Sequence, residues 1–151
     1  MLAAGDRAPD FTVQNQLDAP VSLKDLLKGG RLLLYFYPAD FTAGCTREAC
    51  RLRDLHAQLL AAKVCVAGVS PQSPSSHAAF AAKYTLLFTL LSDPDKVLAR
   101  AYRVVGPLGF GVRRASFLIN PAGVIEDAVL ADVRIGRHEA FFRKIAASES
   151  R

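Results

Sequence analysis

The stretch RLLLYFYPADFTAGCTREAC, residues 31–50, joins two different hydrophobic patterns. Residues 31–38 form a continuous apolar run, which is typical of a strand covered on both faces of a sheet. From Thr42 to about Ala62, apolar residues recur at spacings of three and four, as in an amphipathic helix. A buried strand that leads directly into a helix predicts an α/β domain.

The flanking sequence extends this unit in both directions. Its periodicities and turn residues predict a hairpin at 11–23, with its turn at 17–20, and strands at 63–70 and 88–94. A loop at 71–76 is expected to lead into a helix through 77–84, and a second helix is expected at 95–102. Two strands within 113–130, joined by a turn at 120–123, and a final helix at 136–148 complete the prediction. The closing hairpin makes the predicted sheet mixed, and we expect helices on both of its faces.

Length and composition restrict the function classes. A chain of 151 residues suits one domain, predicted here to span 1–151. The net charge is +5, but basic residues never run longer than the pair Arg113-Arg114, so nucleic-acid binding is not favoured. No apolar stretch approaches the ~20 residues of a membrane span. The N-terminus lacks a signal-peptide core, so we predict a cytoplasmic protein.

Cys45 lies where the predicted helix begins. With Thr42 as the N-cap, its hydroxyl is expected to accept a hydrogen bond from the Cys45 N–H. The unpaired N–H groups of a first helical turn stabilise negative charge, which favours a thiolate. Gly44 removes side-chain bulk beside the thiol, so that a small substrate can approach. Position alone leaves two alternatives open, a reactive thiol and a buried cysteine that happens to begin a helix.

Cys50 follows five positions later. In an intact helix the two Cα atoms would lie about 8.5 Å apart, beyond the ~7 Å limit for a disulfide. The pair can therefore bond only after the first turn unwinds. The spacing also differs from the two-residue gap of zinc cysteine pairs. The histidines are scattered, and each is interpreted as a surface or hydrogen-bonded residue: His56, His77 and His138.

The motif Pro38-x-x-x-Thr42-x-x-Cys45 resembles the active-site signature of peroxiredoxins. GCTREAC (44–50), with its second cysteine, is similar to the bacterioferritin-comigratory-protein (PrxQ) subfamily. The resemblance extends over nearly the whole chain, through GDRAPDF (5–11), LLSDP (90–94) and RASFLINPAGVI (114–125). It implies a thioredoxin-like fold with an N-terminal β-hairpin extension. It also implies reduction of hydrogen peroxide and organic hydroperoxides, in antioxidant defence and redox homeostasis, without metal or bound cofactor.

The resemblance assigns roles residue by residue. Cys45 would be the peroxidatic nucleophile and Cys50 the resolving cysteine. Further roles would be peroxide binding by the Thr42 hydroxyl, shielding of the site by Pro38, an active-site guanidinium from Arg114, and orientation of that guanidinium by Glu48. The choice of Arg114 over its neighbour Arg113 rests on the resemblance alone.

The implied cycle oxidises Cys45 to a sulfenic acid, which condenses with Cys50 to an intramolecular disulfide. Thioredoxin or a similar dithiol would then reduce the disulfide. Charge and hydropathy predict no nucleic-acid or membrane partner, and we expect a monomer, with a dimer as the alternative. Cys65 lies in the predicted strand at 63–70 and is interpreted as an inert core residue.

Some observations leave alternatives. Phe41 and Ala43 stand where the family usually has a small polar residue and a proline, and Phe41 is interpreted as an ordinary packing aromatic. A thiol-disulfide oxidoreductase or peroxide sensor would use the same two cysteines. A copper-binding thioredoxin-fold protein would add a histidine to them, but it would leave Thr42, Arg114 and Pro38 unexplained. The peroxidase hypothesis accounts for all three.

Overall fold

The computed structural model describes residues 1–131 and 134–147. Its strands are β1 (Thr12–Gln14), β2 (Pro20–Ser22), β3 (Arg31–Phe36), β4 (Val64–Ser70), β5 (Thr89–Ser92), β6 (Ala115–Ile119) and β7 (Ile125–Leu130). Its helices are α1 (Leu23–Leu27), α2 (Ala43–Ala61), α3 (Pro74–Tyr84), α4 (Val97–Ala101) and α5 (Ile135–Ala147), with a 3-10 turn at Pro107–Gly109. The predicted end of the last helix, Ser148, lies outside the described residues.

The main sheet has the strand order β5-β4-β3-β6-β7. Strands β3, β4 and β5 are parallel, whereas β6 runs antiparallel to β3 and β7 runs antiparallel to β6. The predicted mixed sheet is confirmed. Strands β1 and β2 form the predicted N-terminal hairpin as a separate antiparallel pair.

Side chains of β3 alternate between two hydrophobic cores. Leu32, Leu34 and Phe36 pack on the face covered by α1 and α4. Leu33 and Tyr35 pack on the other face, which α2, α3 and α5 cover. Because successive strand residues point to opposite faces, the continuous apolar run of β3 supplies both cores. Helices therefore lie on both faces of the sheet, as predicted.

The central position of β3 in the sheet determines where the strand meets the helix that carries Cys45. Its C-terminal end leads into residues 37–42, the thiol loop, and then into α2. In the antiparallel pairing with β6, Phe36 is opposite Ala115. The residue that precedes β6, Arg114, is therefore brought beside the start of the thiol loop, although it is far from that loop in sequence.

Several elements differ from the sequence predictions, among them α1, α3 and β6. The five-residue helix α1 was not predicted because it is too short for a hydrophobic period, yet Ser22 and Asp25 form a reciprocal capping box at its start. Helix α3 begins at Pro74 within the predicted loop, since proline suits the first helical position and Ser73 caps the helix. Strand β6 begins only at Ala115.

Candidate active site

The thiol of Cys45 lies in the first turn of α2 and is almost completely buried, with 1% of the residue exposed. It packs in the core between β3 and α2. The first three N–H groups of a helix have no partner within the helix, and they point toward this end of α2. The thiol therefore faces a region of positive potential that is shielded from bulk water.

The guanidinium of Arg114 contacts this thiol. Its Nη1 and Nη2 lie 3.4 Å and 3.3 Å from the Cys45 Sγ. Only 7% of the Arg114 side chain is exposed, so water screens this charge weakly. Of the two candidate arginines, Arg114 is the one that lies at the thiol. Both precede β6 in the structure, whereas the sequence analysis had placed them inside the strand.

Glu48 holds the same guanidinium from one helical turn further along α2. Its Oε1 accepts a hydrogen bond from Arg114 Nη1 at 3.0 Å, and Glu48 is completely buried. Burial raises the pKa of Glu48 to about 7, even though the charge of Arg114 acts in the opposite direction. The pKa of Arg114 lies above its usual value because Glu48 and Cys45 together outweigh its burial.

His138 lies behind Glu48 and was not assigned a role from the sequence. It is fully buried on α5, with its Nδ1 3.6 Å from Glu48 Oε2. Its Nε2 is 3.1 Å from the Ala131 carbonyl oxygen, and Ser116 Oγ is 3.0 Å from its Nδ1. The sequence interpretation as a hydrogen-bonded histidine agrees with these contacts. The contact with Glu48 is a long-range one, which no local pattern indicates.

The side chain of Thr42 differs from its predicted position. Thr42 is the N-cap residue of α2, but its side chain accepts no capping hydrogen bond. The hydroxyl instead donates to the Ala39 carbonyl at 3.1 Å, within the thiol loop. The predicted hydrogen bond from the Cys45 N–H to this hydroxyl is therefore wrong. The hydroxyl therefore stabilises the loop, and Thr42 provides no side-chain acceptor for the first-turn N–H groups of α2.

Gly44 makes room for the arginine. A Cβ atom built at this position would lie 3.2 Å from Arg114 Nη2 and 3.4 Å from Ile135 Cδ1. The distance to Arg114 Nη2 is tighter than an ordinary van der Waals contact, so a larger residue would displace the guanidinium by a few tenths of an ångström. The sequence analysis attributed the small size of Gly44 to substrate access, whereas the structure shows its use in the fit of Arg114.

Pro38 and Arg114 together line an open cleft of about 650 Å³. The rest of the lining comes from the segment between α4 and β6, with Arg113 and an apolar wall of Val105, Pro107, Phe110 and Val112. Phe110 is 74% exposed, and Leu108 in the same segment is 95% exposed. The cleft thus combines a cationic end at Arg114 with an apolar wall.

Cys50 is half-buried on α2, and the helix is continuous through both cysteines. All three cysteines are free thiols. The structure is therefore the reduced, fully helical form. Cys65 is half-buried in β4, where burial raises the pKa of its thiol.

A second buried polar cluster anchors the thiol loop, and the sequence analysis did not identify it. Asp40 accepts hydrogen bonds from Tyr37 at 2.6 Å and from Ser76 at 2.8 Å, and His77 Nδ1 lies 2.7 Å from its carboxylate. The other ring nitrogen of His77 is 3.0 Å from the Leu91 carbonyl oxygen. Burial raises the pKa of Asp40, but the hydrogen bonds from His77 and Tyr37 outweigh it and the pKa is lowered. The loop is thereby tied to α3 and β5.

Phe41 follows Asp40 with a positive φ of 66°, a strained conformation for a residue with a side chain. Its ring packs edge-on against Phe80 with centroids 5.1 Å apart, and Lys83 Nζ lies 5.8 Å from the ring centroid. These contacts agree with the interpretation of Phe41 as a packing aromatic, although 46% of it is exposed.

Within residues 1–131 and 134–147, no group of three or more histidine, cysteine, aspartate or glutamate residues is arranged to hold a metal ion. In the same part of the chain, none of the helices combines the length and the apolar character needed to cross a bilayer.

Comparison with known proteins gives consistent matches. The AhpC/TSA family profile matches residues 4–128. A putative peroxiredoxin bcp of Coxiella burnetii is 43% identical over 145 residues, covering 92% of this chain and 95% of that protein. The crystal structure of peroxidoxin BcpB from Mycobacterium tuberculosis superposes with a TM-score of 0.90 at 30% identity, covering 97% of each chain.

A third match concerns a protein that was studied for its chemistry. The Xanthomonas campestris bacterioferritin comigratory protein, solved in trapped-intermediate and ligand-complex structures that address its alkyl peroxide reduction, has a TM-score of 0.82. It is 30% identical and covers 91% of this chain and 90% of its own. The predicted thioredoxin-like fold is thereby confirmed. The chain belongs to the AhpC/TSA family and, within it, to the Bcp (PrxQ) peroxiredoxins, which are thiol-dependent peroxidases.

Proposed function

We propose that Cys45 is the peroxidatic thiol of this peroxidase and that Cys50 resolves it. The observation that carries the proposal is the contact of the buried Cys45 Sγ with both terminal nitrogens of Arg114. A thiolate is the nucleophilic form of cysteine, and a fixed guanidinium stabilises it as well as the charge on a departing oxygen. We propose that Thr42, Pro38 and Gly44 shape the space in which a peroxide would lie.

In the first step the Cys45 thiolate attacks one peroxide oxygen. The S–O bond forms as the O–O bond breaks, so the sulfur loses two electrons and the peroxide gains them. The departing oxygen takes up a proton and leaves as water or an alcohol, and Cys45 becomes a sulfenic acid. The Arg114 guanidinium and the first-turn N–H groups of α2 lie where they can stabilise the negative charge of this step.

In the second step the Cys50 thiolate attacks the sulfenic sulfur, and the S–O bond breaks as the S–S bond forms; the departing hydroxide takes up a proton and leaves as water. Because α2 is continuous through both cysteines, its first turns must unwind before the two sulfurs can meet. A dithiol then supplies two electrons to reduce the disulfide. We infer a thioredoxin-type reductant in the cytoplasm, a compartment in which such reductants keep thiols reduced, and we propose that the chain acts as a monomer.

The cleft beside Pro38 supports organic hydroperoxides as substrates in addition to hydrogen peroxide. The peroxide group would lie at the Arg114 end, and an alkyl tail would lie along the apolar wall that includes Phe110. Hydrogen peroxide carries no tail, so the apolar wall would not contribute to its binding. Burial of apolar tail surface is worth about 25 cal/mol per Å², so the wall would favour larger hydroperoxides through binding.

Rapid-quench oxidation of the fully reduced protein by hydrogen peroxide tests this function. Thiols are alkylated at each time point, counted by mass spectrometry, and the disulfide is mapped. We expect fast loss of Cys45 and a Cys45–Cys50 link, and in Cys50→Ser an equally fast first oxidation that stops at the sulfenic acid. Cys65→Ser is the matched control and should behave as wild type. Oxidation of Cys45 no faster than that of a free thiol would overturn the proposal.

A further inference from the structure

Glu48 has a buried face that is turned away from Arg114. Glu48 Oε1 is engaged by the guanidinium, but Glu48 Oε2 is fully buried and has no hydrogen-bond partner. A carboxylate oxygen in that situation is unfavourable, because burial without a donor leaves its charge uncompensated. The nearest polar atom described for it is Nδ1 of His138, at 3.6 Å.

The contacts of His138 define its protonation. The Ala131 carbonyl oxygen can only accept a hydrogen bond, so the Nε2 that lies 3.1 Å from it carries the hydrogen. Burial lowers the pKa of His138 to about 4, which leaves the ring neutral at physiological pH. In a neutral ring with a hydrogen on Nε2, the Nδ1 is a bare acceptor. It accepts a hydrogen bond from the Ser116 hydroxyl at 3.0 Å, and the same edge of the ring faces Glu48 Oε2 at 3.6 Å, too far for a hydrogen bond.

Two acceptors that face each other across 3.6 Å repel when Glu48 is a carboxylate, and a proton on Oε2 relieves that repulsion. Besides the hydrogen on Nε2, the pair shares one titratable proton. Glu48 holds it when both groups are neutral, and His138 holds it when glutamate faces imidazolium, so the two forms differ in charge but not in proton count. In water the histidine would hold that proton. In this buried pair the neutral form avoids two desolvated charges, and the pKa of Glu48, raised by burial to about 7, agrees with it.

We propose that His138 is a positioning residue of the peroxidase, which acts through Nδ1 to keep Glu48 in its neutral acid form and thereby directs the charge of Arg114 at Cys45. A neutral Glu48 still accepts the hydrogen bond from Arg114 through Oε1 and so still orients the guanidinium. It no longer cancels the guanidinium charge, which then acts undiminished on the sulfur 3.3 Å away. The proposal rests on the peroxidatic role of Cys45.

Other charged and titratable groups face this pair from the surrounding elements. Three lie around Glu48 besides His138, namely the Cys45 thiol on α2, the Arg114 guanidinium before β6 and the Tyr35 hydroxyl on β3. From α5, Glu139 adds a negative charge that raises the pKa of Glu48, and Arg137 adds a positive charge that lowers the pKa of His138. Both influences from α5 favour the neutral pair.

The test compares substitutions that separate the two ring nitrogens. His138→Gln keeps a donor near the position of Nε2 and removes the acceptor near Nδ1, whereas His138→Asn keeps an acceptor near Nδ1. We expect Glu48 to ionise at lower pH in His138→Gln. Near pH 6.5 Cys45 oxidation should then slow by about tenfold, because a new negative charge close to the sulfur disfavours the thiolate. His138→Asn should recover most of the rate. His56→Gln, a histidine on the outer part of α2, is the control.

A double variant distinguishes charge from packing. Glu48→Gln cannot ionise, so in His138→Gln/Glu48→Gln the rate should recover relative to His138→Gln alone. If His138 served only to pack α5 against the sheet, the second substitution would bring no recovery, and that result would overturn the proposal. A pH profile in which His138→Gln and wild type run parallel from pH 5 to 8 would also overturn it.

A measurement without peroxide keeps the proposal testable if a variant fails to fold. In wild-type protein with labelled glutamate carboxyl carbons and labelled imidazole nitrogens, NMR follows both groups from pH 5 to 8. We expect an Nε2–H tautomer of His138 throughout and a Glu48 carboxyl that titrates near neutral pH. An ionised Glu48 beside a cationic His138 at pH 5.5 would refute the positioning role, whatever the peroxidase assays show.

Discussion

Replacement of Arg114 by alanine removes the positive charge that contacts the thiol. At an effective dielectric constant of about 20, a unit charge about 3.3 Å from a thiolate stabilises it by about 5 kcal/mol. Loss of one aimed donor typically slows an enzyme by about 10²–10³. We therefore expect the second-order rate constant for Cys45 oxidation to fall by about 10²–10³ in Arg114→Ala, with a smaller loss in Arg114→Lys, which keeps the charge but not the two-point contact.

The substitution also affects Glu48, because Arg114 is the group that lowers its pKa. Without the guanidinium, burial raises the pKa of Glu48 further, and the side chain becomes neutral instead of remaining an unpaired buried charge. The double variant Arg114→Ala/Glu48→Gln should consequently be as stable as Arg114→Ala and as slow. Recovery of the rate in the double variant would show that the buried carboxylate, not the missing guanidinium, caused the loss.

The assay is rapid-quench oxidation at pH 7 over a series of hydrogen peroxide concentrations, with Cys45 alkylation read by mass spectrometry. Quenching is chosen because the chain contains no tryptophan to report the reaction by fluorescence. Arg113→Ala is the matched control, since it removes the same charge one position away. The reasoning is refuted if Arg114→Ala oxidises within threefold of wild type, or if Arg113→Ala shows the large loss instead.

Four further changes test separate contacts. Gly44→Ala should slow oxidation by about tenfold without unfolding the protein, because its Cβ would lie 3.2 Å from Arg114 Nη2; an unchanged rate would mean that the guanidinium moves freely. Thr42→Val removes a hydrogen bond within the thiol loop and should cost about 1 kcal/mol of unfolding free energy as well as rate, whereas Thr42→Ser should restore both. Phe110→Ala should raise KM for a bulky hydroperoxide such as cumene hydroperoxide several-fold and leave hydrogen peroxide kinetics unchanged; equal effects on both would remove the apolar wall from substrate binding. Since the pKa of Glu48 is raised in the folded state to about 7, its stabilising contribution is complete below about pH 4.5 and is lost as pH rises through 7. Relative to Glu48→Gln, wild type should lose up to about 3 kcal/mol of unfolding free energy over that interval, measured by urea denaturation.

The sequence predicted those features that are encoded locally. The apolar run of β3 and the three-and-four spacing of α2 determine where strand and helix meet, and so where Cys45 lies. The separation of Cys45 and Cys50, which prevents a disulfide in the intact helix, follows from helix geometry in the same way. Arg114 was placed by a motif alone, and its contact with the thiol depends on the antiparallel pairing of β6 with β3, which no local period reports.

The features that were missed depend on tertiary packing or on rotamers. Glu48 and His138 meet because α2 and α5 cover the same face of the sheet, and Asp40 meets His77 because the thiol loop packs on α3. The hydroxyl of Thr42 had two partners within reach, the helix N–H groups and the Ala39 carbonyl, and the sequence does not decide between them. Buried histidines paired with acids were therefore the hardest part of the site to predict.

The position of Glu48 between the two cysteines couples the chemical steps. Cys45 and Cys50 cannot bond unless α2 unwinds between them, and Glu48 lies within that segment. Unwinding must draw Glu48 away from Arg114 and His138, so the disulfide cannot coexist with the contacts that activate the thiol. The thiol loop, by contrast, stays tied to α3 through Asp40 and His77, outside the unwound segment. In the proposed cycle the disulfide would thus dismantle the peroxide site, and its reduction would be required to rebuild both the helix and the charge arrangement around Arg114.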